Sequence, residues 1–173
     1  MNRRETIKGI ALAAGSMIML PAWAKSWDKQ SLNTTGTLFN REQEKMLSVL
    51  SDAIIPPGDS IGALSVGVDK FLTKLFSDCY DAEIQHKIKL QLEQIDTKAR
   101  NDYGTPFESC QPPKKMSIME QFACSDNEET RETFQLIKHE TIRGFRTSKI
   151  VMTEYLDYQV MPGHFNGCVE VSS

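Results

Sequence analysis

Histidine, cysteine and acidic side chains carry most protein chemistry, and this chain holds few of them at working spacings. Its three histidines are His86, His139 and His164. None stands four residues from another and no H-E-x-x-H occurs, so the usual helical zinc pair is missing. His139 and Glu140 are sequence neighbours, so their side chains diverge on a helix. His164 lies in a Pro-Gly turn near the C-terminus, where a partner contact is the functional reading. The search for a nucleophile finds no G-x-S-x-G and no cysteine in a catalytic signature. Neither G-x-G-x-x-G nor G-x-x-x-x-G-K-[ST] is present to cradle a phosphate. Asp52 is the one acid weighed as catalytic, and its place near the end of a helical pattern suits a structural polar group better. The expectation is therefore no catalytic, cofactor-binding or metal residues in this chain.

The four cysteines are Cys79, Cys110, Cys124 and Cys168. They form no C-x-x-C and no C-x-x-C-H. Zinc-ribbon, thioredoxin and common iron–sulfur spacings are thus unsupported, and covalent c-type haem is excluded. In an oxidising compartment four cysteines permit three internal pairings, which sequence cannot separate. An internal disulfide, a bridge from Cys168 to another chain and free thiols all stay open.

The N-terminus reads as an address. Arg3, Arg4 and Lys8 form a basic start, Gly9 to Leu20 is mildly apolar, and Ala22-Trp23-Ala24 is an A-x-A cleavage pattern. The apolar stretch of 12 residues is short of the roughly 18 that a membrane helix needs. The arrangement Arg3-Arg4-Glu5-Thr6-Ile7-Lys8 resembles the twin-arginine export signal. An ordinary secretory signal and an uncleaved anchor are the alternatives. The twin-arginine route carries folded proteins, which typically hold a cofactor or travel with a partner that does. Cleavage after Ala24 changes 20 basic and 23 acidic residues to 17 and 22, so the net charge moves from −3 to −5. An acidic balance argues against nucleic acid or an anionic membrane surface as a partner.

The elements behind these residues are helical. The chain has 173 residues, 40% of them apolar and 25% charged, which suits one globular domain. Lys25 to Thr37 is polar and without period, a flexible lead-in. Asn40 with Gln43 offers a capping box, and Met46, Leu47, Val49, Leu50, Ala53 and Ile54 follow at helical spacing until Pro56-Pro57-Gly58. After a loop from Asp59 to Gly67, Val68, Phe71, Leu72, Leu75 and Phe76 form a second stripe. Asp81 caps a third helix. Its residues Ile84, Ile88, Leu92, Ile95, Ala99 and Tyr103 step by 4, 4, 3, 4 and 4, and it stops at Gly104-Thr105-Pro106. Ser117-x-x-Glu120 and Ser125-x-x-Glu128 predict caps for a short helix over 118–123 and a longer one through Phe134, Ile137 and Ile142. Gly144 marks a break or a close approach. A last helix is expected from Ser148 to Tyr158, before an irregular tail. The fold class is all-α: a small single-domain bundle of five to six helices. Residues 1–24 are the signal, 25–38 the lead-in and 39–173 the helical domain.

Two stretches carry a family resemblance. One is Leu47-Ser48-Val49-Leu50-Ser51-Asp52-Ala53-Ile54-Ile55-Pro56, with the glycine-bearing loop and Val68-x-x-Phe71 behind it. The other begins at Gly144-Phe145-Arg146-Thr147-Ser148. It continues through Leu156-x-Tyr158 to Met161-Pro162-Gly163-His164-Phe165-Asn166-Gly167-Cys168. The chain resembles the gluconate 2-dehydrogenase subunit 3 family, the small subunits of membrane-bound flavin-dependent sugar and sugar-acid dehydrogenases. The resemblance implies a non-catalytic subunit that binds a large FAD-dependent dehydrogenase subunit and accompanies it through the twin-arginine translocase into the periplasm. FAD would sit on that partner, and a multihaem cytochrome subunit with haem is a further implied partner. Partner contacts are expected at Pro56, Gly67, Gly144, Phe145, Tyr158, Pro162, Gly163, Phe165, Gly167 and Cys168. A stand-alone periplasmic oxidoreductase and a small-ligand binding module are the rival readings.

Overall fold

The computed structural model describes residues 38–159 and Gly163. The signal residues Arg3, Arg4, Lys8, Ala22 and Ala24 lie outside the described residues, as do the lead-in to residue 37 and Pro162, His164, Phe165, Gly167 and Cys168. Five α-helices follow one another: α1 (Arg41–Ile54), α2 (Val68–Asp78), α3 (Ala82–Tyr103), α4 (Pro112–Ala123) and α5 (Glu128–Arg146). Short 3-10 turns cover Ala63–Val66 and Phe107–Ser109, a π-turn covers Val151–Tyr155, and no strand occurs among the described residues. The fold is all-α, as the spacing predicts.

Local chemistry sets the helix starts. The Asn40 side chain accepts the Gln43 amide at 2.8 Å, and the Gln43 side chain accepts the Asn40 amide at 3.2 Å. Two otherwise orphaned donors of α1 are satisfied by this exchange. The Asp81 carboxylate accepts the Ile84 amide at 2.9 Å and opens α3, which ends at Gly104 with φ 70°. Helix α4 departs from expectation. It begins at Pro112, not near Ile118, and Ser117 lies in its interior. Proline at the first helical positions has φ already set and lacks an amide that the helix would leave unpaired, so Pro112-Pro113 starts the helix without a side-chain cap. For α5 the cap is Asn127, whose side chain accepts the Thr130 amide at 3.1 Å. Ser125 instead receives the Asn127 amide at 3.3 Å, one step upstream.

The expected last helix over 148–158 is present but shorter: Lys149 and Ile150 are α-helical and run into a π-turn over Val151–Tyr155. Ser148 is buried and ties the turn to α5: its hydroxyl donates to the Phe145 carbonyl at 2.8 Å and accepts the Val151 amide at 3.4 Å. The Leu156 amide then bonds back to the Val151 carbonyl at 3.1 Å. Asp157 follows at φ 48°, the left-handed region, and so ends the helical path.

Helix α5 is the centre of the packing and touches all four other helices. Lys87 on α3 reaches Glu129 at 3.3 Å, while Tyr80, just before α3, reaches Glu140 at 3.1 Å. The two helices therefore run antiparallel. The core holds Leu47, Leu50, Leu72, Phe76, Ile88, Ile95, Phe107, Phe134 and Ile137. Burying each such side chain stabilises the fold by about 1.5–3 kcal/mol.

Gly144 is a close approach rather than a break, since α5 runs through it to Arg146. A Cβ placed there would stand 2.5 Å from Cδ1 of Phe71 on α2. The absent side chain is the space that the Phe71 ring occupies. We predict that Gly144→Ala destabilises the domain by about 1–2 kcal/mol, because overpacking of about 1–3 kcal/mol outweighs the gain of up to about 1 kcal/mol in helix propensity. Phe71→Leu in the Gly144→Ala background should recover part of the loss. Urea unfolding measures both; a net stabilisation by alanine would show that the ring yields freely.

Candidate functional site

The residues expected to contact a partner divide between the surface and the interior. Pro56, Tyr158 and Gly163 are exposed, Phe145 is half-buried, and Gly67 and Gly144 are buried. Gly67 takes φ 78° where the 3-10 turn passes into α2. It and Gly144 set backbone and ring positions, and the surface above them is supplied by other residues.

The loop from Pro56 closes on itself. The Ala63 amide donates to the Ile55 carbonyl at 2.9 Å, and the Gly58 amide to the Ser60 carbonyl at 3.2 Å. A Cβ on Gly62 would stand 2.6 Å from the Pro57 nitrogen, so the chain crosses itself where only glycine fits. The 3-10 turn that follows packs on α1, α2 and α5. The proline loop is thereby fixed to the helices that hold Phe71 and Gly144.

Beside this contact lies a polar chain that spacing alone did not single out. Glu140 is only 6% exposed, and its carboxylate takes three donors. Tyr80 gives its hydroxyl to one oxygen at 3.1 Å, and Arg143 gives Nε and an Nη to the other. The Arg143 guanidinium then lies over the Phe71 ring, 5.8 Å from its centroid. Tyr80 in turn meets Phe76 edge-on at 5.4 Å. A buried carboxylate is tolerable when it is this fully paired, and removing a partner would leave it uncompensated. The sequence signal existed in Glu140-x-x-Arg143, an i, i+3 pair on one helix face. Nothing in the sequence pointed to Tyr80 as its third member.

Elsewhere the molecule offers less. A groove of roughly 590 Å³ lies between α1, α3 and the second 3-10 turn, with Met46, Val49 and Leu92 among its lining residues. Its two cations are already engaged, Lys45 with Glu108 at 2.8 Å and Arg100 with Asp96 at 2.7 Å. Among the described residues no group of three or more His, Cys, Asp or Glu side chains is arranged to hold a metal ion. His86 and His139 are exposed, and Asp52 is half-buried. Cys79, Cys110 and Cys124 are free thiols, so no disulfide joins the described cysteines. Cys110 is buried, with its sulfur 3.5 Å from the Thr105 hydroxyl and 3.5 Å from the Pro106 carbonyl.

The description "Gluconate 2-dehydrogenase subunit 3" belongs to the family whose pattern matches residues 41–163. The chain belongs to that family. The match runs from the first residue of α1 through the proline loop, the Phe71–Gly144 contact and the π-turn to Gly163. Membership of the subunit 3 family places the chain with the small subunits of dehydrogenase complexes. No curated protein and no solved structure matches it.

The polar chain gives a pH test. Burial, and then the negative charge and hydrogen bond of Glu140, push the Tyr80 phenol above its usual value of 10.0, while Arg143 pulls the other way. The fold thus favours the protonated phenol. That share of stability is complete below about pH 10 and is lost as pH rises through the folded-state value. Tyr80→Phe should flatten the fall in unfolding free energy above about pH 10, and an unchanged slope would show that the phenol does not contribute.

Proposed function

We propose that the protein is a non-catalytic small subunit of a periplasmic FAD-dependent sugar or sugar-acid dehydrogenase. It binds the large flavoprotein subunit, stabilises it and carries it through the twin-arginine pore. The oxidation occurs on the partner's FAD, and a multihaem cytochrome subunit passes the electrons on. The observation that carries this reading is the family match across 41–163, which spans every described helix. Two features support it. Arg3-Arg4 and Lys8 head an export-like N-terminus. The specific sequence around Gly144 and the proline loop also shapes one side of the domain without assembling a catalytic constellation there.

The proposal ties export of the flavoprotein to this chain. Deleting the gene should remove flavin-linked sugar or sugar-acid dehydrogenase activity from the periplasmic and membrane fractions by at least about tenfold and leave the flavoprotein in the cytoplasm. Restoring the chain with Arg3 and Arg4 changed to lysine should restore the protein but not the export. An active flavoprotein in the periplasm of the deletion strain would refute the escort role.

A further inference from the structure

The groove between α1 and α3 begins where the chain enters the bundle. Phe39, one residue ahead of the Asn40 cap, is buried, and Lys89 of α3 lies over its ring, 5.6 Å from the centroid. Asn40 is already part of the groove wall. The incoming chain is thus pinned at the head of the α1–α3 seam. The backbone bends at Leu38 and Phe39, so the path into α1 is not a continuation of the helix axis. Further along, Met46 and Val49 are only half-buried and line the groove together with the buried Leu92, so part of its wall is apolar.

Position selects what covers that wall. Residues 25–37 lie outside the described residues and join the bundle at this groove. Their large apolar side chains are Trp27 and Leu32. Leu32 stands six residues before Leu38, a reach of up to about 20 Å for extended chain. The α1 side of the groove, from Asn40 to Val49, is about 14 Å long at helical rise. The tether therefore spans the whole wall. A segment held so close meets its site at an effective concentration on the order of millimolar, which a separate molecule would have to match. Charge is permissive here and does not choose the occupant. Glu42 and Glu93 in the wall are exposed and form no ion pair among the described residues, and so is Arg41 just outside it. The segment carries both signs, Lys25 and Lys29 with Asp28.

We infer that residues 25–37 fold back into the groove between α1 and α3, with Trp27 and Leu32 against Met46, Val49 and Leu92. The groove is a seat for the chain's own lead-in, and this holds independently of the subunit reading above. The segment that follows the export-like N-terminus is strapped to the bundle, and it has a seat only when α1 and α3 are packed together.

Trp23 and Trp27 are the chain's two tryptophans, so full-length chain carrying Trp23→Phe reports on residue 27 alone. Its emission should be blue-shifted from that of the same chain in urea, and acrylamide should quench it severalfold less. Thr97→Phe places a ring in the groove from an exposed wall position. It should move the emission to the urea value, as should Met46→Glu, while Met116→Ser on α4 leaves it unchanged. Circular dichroism confirms folding, and Thr97→Phe decides should Met46→Glu fail to fold. Because the contact lies within one chain, dilution by about a hundredfold should not alter the spectrum. Emission at the urea value in the folded chain, or a blue shift that both groove variants leave intact, would overturn the inference. A red shift on dilution would overturn it as well and give the groove to the lead-in of a second copy.

Discussion

Phe71 fills the place where Gly144 has no side chain, and much of the molecule is arranged around that contact. The ring is held on α2, the glycine on α5, and the approach is closer than any other residue at 144 would permit without movement. Because α5 touches every other helix, its distance from α2 governs the shape of the bundle. The same ring lies under the Arg143 guanidinium. Arg143 binds Glu140, and Glu140 binds Tyr80 at the entry to α3. A steric vacancy is therefore continuous with a charged network, and α5 is fixed by it to α2 and to the entry of α3, which lie more than sixty residues upstream of Gly144.

This arrangement separates support from display. The buried residues Gly67, Gly144, Ser148 and Glu140 hold the α2–α5 side in place. The exposed residues from Ile142 to Tyr158 lie over that support. On another side, the groove between α1 and α3 has its cations engaged in ion pairs at the rim, and such exposed pairs stabilise little. Among the described residues, exposed apolar side chains are concentrated between Ile142 and Tyr158, interleaved with the exposed Arg146, Lys149, Glu154 and Asp157.

Most of the fold was legible because its helices announce themselves locally. Asn40 with Gln43, Asp81 and Gly104 are boundary residues whose side chains or backbone freedom act within a turn, and the apolar steps of α3 need no tertiary information. The failures are equally physical. Ser117 and Ser125 have the right spacing for caps, but Pro112 has already started α4 before Ser117 is reached, and the Ser125 hydroxyl accepts the Asn127 amide and leaves Asn127 to cap α5. The π-turn depends on the buried Ser148 hydroxyl, which no periodicity reveals. Gly144 was readable as a special position, but its partner Phe71 lies more than seventy residues away. The network at Glu140 was half visible, because Arg143 is local and Tyr80 is not. The resemblance to the family rested on turns as well as helices, and the match over 41–163 takes in the proline loop and the turn at Gly144–Ser148 while ending before His164–Cys168.

The thiols differ in one respect that bears on how the domain breathes. Cys79 and Cys124 sit at helix ends facing solvent, whereas Cys110 is sealed beneath the corner that joins α3 to α4, its sulfur against Thr105 and Pro106. A thiol-specific alkylating reagent meets the first two directly. It reaches the third only when that corner opens, so the rate of modification at Cys110 follows local unfolding and not collision with solvent. The chain carries its own clock for fluctuation at the end of the bundle remote from Gly144.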